Sequence, residues 1–534
     1  MTTTPQAPPQ AVPQATAPRR PRGRWYAVGT VLSAAAGAGL GHLVAGFVSP
    51  EASPVLAVGS TVIDLTPTPV KEWAVAQFGT ADKPILIGSV AIGTLLIAGG
   101  IGLVARTHRS VGLALLGALA MTSVLAALLR PTSSSVDLLP GLVTAVAGVL
   151  LANWYLGLLD RLGASDRDPL AGADPAGPAR ADGRSGRRSV LVAAAGLGAV
   201  AAAGGALGQA LGRGTVPDAV ILPAAAEPLT PLPRGLESTV RGISAFRTPN
   251  SQFYRIDTSL VIPRVSVDGW KLTIDGDVDR PFSLTFDELL TMPLIERDIT
   301  LTCVSNEVGG PYVGAARWLG VRTSDLLERA GVRSGVDQIF SHSTEGMTIS
   351  TPVQALTDDR EALVAIAMNG EPLPAMHGFP ARLVTPGLYG FVGATKWLTR
   401  MEATTYAAKS AYWTDRGWAT DSPILTQSRI DTPRGLNRLA AGRAVIGGVA
   451  WAQHRGIEKV EVRVDDNAWQ EAKLGPDGGI DYWRQWYLPW DALPGRHQLT
   501  VRATDLNGDV QPEAEATPFP KGATGWHSIV VIVE

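Results

Sequence analysis

Cys303 is the only cysteine in 534 residues, so the chain can form no disulfide within itself. Its sulfur is a packed core atom, a nucleophile or a metal ligand. It stands in the run Leu301-Thr302-Cys303-Val304-Ser305-Asn306-Glu307-Val308-Gly309-Gly310. The glycine pair lets backbone approach a bound group closely. A thiolate suits a soft or high-valent metal, which would hold the sulfur deprotonated. Zinc would need further Cys or His ligands at close spacing, and His342 and His377 are scattered. A hydrolase pairing Cys303 with His377 needs an oriented base, and no thiol-protease or nucleophile-elbow signature surrounds the residue.

The second dense segment is His377-Gly378-Phe379-Pro380-Ala381-Arg382, followed by Pro386-Gly387-Leu388-Tyr389-Gly390 and Lys396-Trp397. Cations on glycine-punctuated loops suit a multiply charged phosphate ligand. Each cation alone reads as a solvated surface charge. Beside a metal-competent thiol, they fit a metal held by a phosphorylated organic ligand.

The elements that position these residues read as mixed α and β. Asp298–Thr302 alternates with Ile299 and Leu301 on one face, a strand that delivers Cys303 at its end. Trp270–Ile274 alternates likewise and ends at the turn pair Asp275-Gly276, and Thr285 caps a short helix. From Arg443 onward several short strands, among them Val460–Val464, Leu499–Ala503 and Ser528–Val533, are broken by turn residues. That pattern predicts an immunoglobulin-type sandwich whose Trp469, Trp483 and Trp486 serve packing.

Ahead of this region lie five apolar stretches: Trp25–Val48, Pro84–Ala105, Ser110–Leu129, Leu138–Leu159 and Val190–Leu211. Each is near the ~20 residues that a helix needs to cross a bilayer. Their Gly and Ala content predicts close helix contacts. Arg19, Arg20, Arg22 and Arg24 precede the first stretch, Arg106 and Arg109 flank the second turn, and six arginines from Arg161 to Arg188 follow the fourth. The positive-inside rule then puts the N-terminus in the cytoplasm and everything after the fifth helix outside. Arg187-Arg188 reads equally as an internal twin-arginine export signal and as a topology anchor. His42 is the only histidine inside a stretch and no acidic residue sits mid-span, so the helices read as an anchor in membrane lipid or a docking surface. A net charge of -2 and the absence of a basic patch with interleaved aromatics argue against nucleic acid.

The region from Phe246 to Ala407 resembles the molybdopterin-binding domain of the sulfite oxidase family, and the tail resembles that family's immunoglobulin-like dimerisation domain. The matching blocks are Cys303-x-x-Asn306, Met368-Asn369-Gly370-Glu371-Pro372-Leu373-Pro374, His377–Arg382 and the stretch from Pro386 to Lys396-Trp397. They occur in the family's order. The resemblance implies that Cys303 ligates molybdenum and that molybdopterin completes the centre. It assigns Asn306, His377, Arg382 and Lys396 to cofactor binding, with the last three on the pterin and its phosphate. Arg255, in Phe253-Tyr254-Arg255, resembles the arginine beside the substrate pocket, with Tyr389 as a further pocket residue. Glu307 stands where sulfite oxidases have arginine, and Tyr312 lies near the place of a pocket tryptophan. Those departures bear on substrate rather than cofactor.

The expected architecture is a disordered cytoplasmic tail (1–24), a multi-pass α-helical membrane region (25–212) and a linker (213–240). An α+β sulfite-oxidase-type molybdopterin domain (241–430) and an all-β immunoglobulin-like sandwich (431–534) follow. The expected activity is molybdenum-dependent oxygen-atom transfer on a small oxo-anion, sulfite first, or on an S-oxide or N-oxide. Electrons pass to an external partner, because the sequence offers no haem or iron–sulfur ligand set. The name of the family's tail domain points to a homodimer. A non-catalytic component of a membrane complex is the competing class, and the joint presence of Cys303, His377, Arg382 and Lys396 counts against it.

Overall fold

The computed structural model describes residues 23–130, 133–165, 183–212 and 220–534. The Pro/Thr/Gln-rich N-terminus, Arg19, Arg20, Arg22, Arg167, Arg180 and the first part of the expected linker lie outside them. The chain divides into two compact units, one of residues 1–66 and 81–214, the other of residues 67–80 and 215–534.

The first unit is helical: α1 (Gly23–Val48), α2 (Pro54–Leu65), then, past a segment belonging to the second unit, α4 (Asp82–Ala105), α5 (Arg109–Leu128), α6 (Leu139–Ser165) and α7 (Gly183–Gly212). Among the described residues, five helices are long and apolar enough to cross a membrane by length and composition. Their bounds agree with the five apolar stretches to within a few residues. Small residues let the helices touch. A Cβ on Gly37 would come within 2.7 Å of the Thr144 carbonyl oxygen, and one on Gly39 within 2.7 Å of that of Ala201. Charges gather at the helix ends, where Arg109 pairs with Asp160 at 2.8 Å and Arg130 with Glu51 at 2.5 Å.

The second unit includes α3 (Thr68–Phe78) and everything after residue 214. The stretch between the first two long helices therefore holds two short helices that its mixed composition did not signal. The Pro/Ala-rich linker also departs from a free tether. Ala226 N–H donates to the Leu294 carbonyl at 2.7 Å, Glu227 pairs with Arg297 and Arg322, and Leu236 N–H donates to Gln485 Oε1 at 2.7 Å. Prolines remove donors without preventing such pairing by the residues between them.

Two sheets build the middle of this unit. The strands are β1 (Lys271–Gly276), β2 (Phe282–Thr285), β3 (Ile295–Thr302), β4 (Val313–Arg322) and β5 (Gln338–Ser343). Then come β6 (Thr348–Pro352), β7 (Leu363–Met368), β8 (Glu371–Pro372), β9 (Arg382–Val384) and β10 (Leu398–Thr404). One sheet runs β2-β1-β10-β5-β6 and the other β3-β4-β7-β8, with β9 against β7. β7 is buried along its whole length, as a strand covered on both faces must be. α8 (Phe286–Leu290) begins with the expected Thr285 cap, a reciprocal capping box with Glu288. Leu272, Ile274, Val321, Val364, Leu383 and Met401 anchor the main core.

The C-terminal part is all β. Gln427–Thr432, Gly442–Trp451 and Arg484–Ala492 belong to a four-stranded sheet, and Ile457–Val464, Gly495–Asp505 and His527–Val533 to a five-stranded one. Ile446, Trp486, Val462, Val501 and Val531 from both sheets share one core. The strand Gln427–Thr432 already pairs within this part, so the change of domain falls slightly before residue 430.

Candidate active site

β3 ends at Thr302, and the next residues form a turn in which Asn306 N–H donates to the Cys303 carbonyl at 3.0 Å. Cys303 N–H in turn donates to the Tyr312 carbonyl at 2.9 Å, and Tyr312 N–H donates to Asn306 Oδ1 at 2.7 Å. These bonds hold the loop open as a frame around a half-buried thiol. Burial pushes the Cys303 thiol up, partly opposed by hydrogen bonds from Ser305 and by the charge of Lys396. An isolated thiol here stays protonated at neutral pH, so a deprotonated sulfur needs a metal or another strong cation. Gly309, at φ +76, packs against the imidazole of His527, which a Cβ would meet at 2.2 Å. The C-terminal part thus supports the back of the loop.

The inner wall comes from the segment 377–397. Gly378 adopts φ +110, and a Cβ there would sit 3.1 Å from both Arg382 Cβ and Lys396 Cα. Glycine is what lets His377, Arg382 and Lys396 converge. His377 is 1% exposed, and its Nε2 lies 3.0 Å from the Asn250 carbonyl. A carbonyl only accepts, so Nε2 carries the proton. Burial drops the His377 pKa to about 4, and the neutral ring then offers Nδ1 as an acceptor. Arg382 is buried, lies over the Trp318 ring at 5.2 Å and donates from Nη1 to the His377 carbonyl at 3.1 Å. Burial lowers its pKa to about 10 and that of Lys396 to about 8. Both remain cations at neutral pH.

The mouth differs. Arg255 is bidentate on the Asp257 carboxylate (Nε 2.8 Å, Nη2 3.0 Å) and also donates to the Ser259 carbonyl. Lys396 Nζ meets the same carboxylate at 2.5 Å. Asp257 therefore links Arg255 to Lys396 on the inner wall. Tyr254 stacks on Phe253 at 5.2 Å and tilts toward Tyr312 at 6.4 Å. Its phenol is pushed up by burial and by the neighbouring Cys303. Glu307 is exposed beside the loop. Tyr389 is the exception among the expected pocket residues. It is 2% exposed, its hydroxyl accepts from Leu425 N–H at 3.4 Å, and Gly522 crowds that oxygen. Its ring packs with Val304 and Trp418, so it braces the loop rather than lining the opening.

Residues with no individual role assigned from sequence hold this arrangement. Asn369, at φ +57, accepts from Arg317 N–H at 3.0 Å and donates to the Thr248 carbonyl at 2.9 Å and to Asn250 Oδ1 at 2.8 Å. It thereby fixes the Asn250 carbonyl that orients His377. Asp257 and Ser305 gave no signal beyond an ordinary carboxylate and hydroxyl. The Asn369-Gly370 pair did carry one, because both residues tolerate a left-handed backbone.

Residues 259–413 match the family model of the oxidoreductase molybdopterin binding domain. The chain is 30% identical over 341 residues to mitochondrial sulfite oxidase of Homo sapiens, covering 54% of this chain and 62% of that protein. It is 28% identical over 335 residues to sulfite oxidase of Gallus gallus, with 53% and 72% covered. A solved structure of the sulfane dehydrogenase SoxCD from Paracoccus pantotrophus aligns at a TM-score of 0.48 and 25% identity, covering 54% of this chain and 83% of that one. The second unit thus carries a molybdopterin-binding oxidoreductase domain. The chain is similar to sulfite oxidases through this domain, and it spans about three fifths of the length of the mammalian relatives it matches.

The family's cofactor is molybdenum held by molybdopterin, and the residues present fit it. Among the described residues no three His, Cys, Asp or Glu side chains gather as a metal cluster. A single thiol suits an ion whose other ligands arrive with an organic cofactor. The side-chain atoms Arg382 Nε and Asn306 Nδ2 are buried without a hydrogen-bond partner, a costly state that a polar ligand would relieve. Arg255 and Lys396 share one carboxylate, Asp257, and the Arg382 charge acts on Lys396 from close by, which leaves positive charge for a phosphate.

Proposed function

We propose that this chain is a molybdenum-dependent oxidoreductase that transfers an oxygen atom to or from a small sulfur or nitrogen centre, with sulfite as the first substrate to test. The observation that carries the proposal is the convergence of Arg382, Lys396 and neutral His377 behind the single thiol, with Arg382 Nε and Asn306 Nδ2 unpartnered. The molybdenum cofactor, when bound, supplies two-electron oxygen-atom transfer. Cys303 holds the metal as thiolate, and Arg382 and Lys396 bind the phosphate and balance its charge. His377 accepts a hydrogen bond from the pterin through Nδ1, and Asn306 keeps the loop open and donates through Nδ2. Tyr254 covers the sulfur on one side and excludes water there, while Arg255 orients the substrate.

Two observations favour a second reading in which the substrate is a neutral S-oxide or N-oxide. Asp257 already neutralises Arg255, and Glu307 adds a negative charge near the opening. A sulfite dianion would meet less attraction here than an unpaired arginine would give.

The five apolar helices support a membrane anchor with the N-terminus inside and the oxidoreductase unit on the outer face. The two C-terminal sheets with their shared core support an immunoglobulin-like sandwich. An external carrier takes or gives the electrons, and the tail pairs two chains. The test is molybdenum and released pterin per purified chain, beside turnover with sulfite and with dimethyl sulfoxide. Near-stoichiometric cofactor with turnover of either substrate supports the reading. Properly matured protein that contains neither metal nor pterin overturns it.

A further inference from the structure

Residues Pro67–Thr80 lie in sequence between helices of the first unit, yet they cluster with the second. Two contacts place them. Lys71 Nζ stands 5.8 Å from the centroid of the Tyr412 ring. At the far end Gly79, with φ +52, lies so near Tyr312 that a Cβ there would be 3.8 Å from the phenol oxygen. Each of those tyrosines connects to the surroundings of the Cys303 loop. Tyr312 shares backbone hydrogen bonds with Cys303 and Asn306, and its ring leans toward Tyr254. Tyr412 packs on Trp413, which with Phe391 packs against the cluster that contains Val304 and Tyr389. At a helical rise the stretch from Lys71 to Gly79 spans about 12 Å, the scale of an opening for a small molecule.

We propose that the segment Pro67–Thr80 forms the outer wall of the substrate entrance and sets an upper limit on the size of molecule that reaches Cys303. The inference rests on Cys303 as the reacting centre. Compact molecules such as sulfite or a dialkyl S-oxide pass the wall, and aryl or peptidyl S-oxides are held back. The outer side of the segment presents Trp73 and Phe78, 58% and 39% exposed and in edge-to-face contact at 5.7 Å.

Cys303 is the only thiol in the chain, so labelling reads access without any turnover. The full chain, prepared free of cofactor in mild detergent, is reacted with N-ethylmaleimide and with a bulky fluorescein maleimide. Each rate is divided by that of the urea-unfolded chain. The expected result is a bulky-to-small rate ratio at least about tenfold lower in the folded wild type. Replacing residues 67–80 by a Gly/Ser stretch of equal length restores the ratio to near one. Tyr412→Ala, which leaves the segment intact and removes one contact, raises it part of the way and serves if the replacement does not fold. In the cofactor-loaded enzyme the same changes lower KM for an aryl S-oxide and leave dimethyl sulfoxide unaffected. An equal labelling ratio in wild type and both variants overturns the proposal. Loss of oxygen transfer with the labelling pattern intact would overturn the assigned reaction and leave the wall in place.

Discussion

The two sides of Cys303 are built by opposite rules. Behind the sulfur, His377, Arg382 and Lys396 are buried, converge through a glycine at φ +110 and leave polar atoms unpartnered. In front of it, Arg255 is already tied to Asp257, and the remaining surface is aromatic. A wall with unsatisfied donors is shaped for a ligand that is always the same. A mouth with its charge already paired is shaped for selectivity by fit. The difference teaches why cofactor and substrate read so unequally from this chain.

The sharpest way to break the comparison is Cys303→Ala. It removes the protein's only thiol, and the expected outcome is loss of turnover with altered metal coordination or metal loss, read by metal analysis and the visible spectrum. Retention of a wild-type spectrum would detach the sulfur from the inner wall altogether. Arg382→Met keeps the packing on Trp318 but removes the buried charge. Cofactor retention after gel filtration should fall by about tenfold or more, with little change in KM for whatever cofactor-loaded fraction remains.

A smaller effect concerns the support behind the loop. His527 Nδ1 accepts from Ile430 N–H at 3.0 Å, and burial beside Arg429 holds its pKa down to about 4 from 6.5. The unfolded chain binds this proton more readily than the folded one, so stability is present above pH 6.5 and is lost as pH falls toward 4. At pH 5 the cost is about 2 kcal/mol. His527→Asn retains the acceptor and cannot take up a proton. Its urea midpoint should therefore fall less than that of wild type between pH 7 and pH 5, and parallel curves would show that the loop support does not titrate.

Much of the inner wall was legible because its residues come in short runs. His377–Arg382 and Lys396-Trp397 carry glycine punctuation and cations within a few positions, and Cys303 with Asn306 marks a turn. The long apolar helices were legible for the same reason, since length and hydropathy are local properties. What stayed hidden is held together across the sequence. Asn369 works through Thr248 and Asn250, roughly 120 residues away, and neither end carries a periodic signal. Residues 220–240 look like a tether by composition, yet their backbone donors find partners on β3 and the C-terminal part. Helix α3 is flanked by chain of the other unit, and no pattern within Thr68–Phe78 shows that it clusters with the oxidoreductase domain.

Asp257 is where the two walls meet, and it offers the finest test of their difference. Its carboxylate takes both nitrogens of the Arg255 fork and Lys396 Nζ, so one negative charge is shared between the cation proposed to face substrate and the one proposed to face cofactor. Asp257→Asn keeps the shape and removes that charge. Arg255 then faces the pocket with its full charge, and KM for sulfite should fall by about tenfold while kcat changes little. A neutral S-oxide should show no such gain, because it has no net charge for the released arginine to attract. Cofactor content should hold, since the phosphate can replace the lost carboxylate at Lys396. If sulfite and S-oxide respond alike, Asp257 is a structural strut and the mouth is not tuned by charge. If cofactor is lost instead, the carboxylate belongs to the inner wall, and the division between the two sides lies in front of Arg255 rather than behind it.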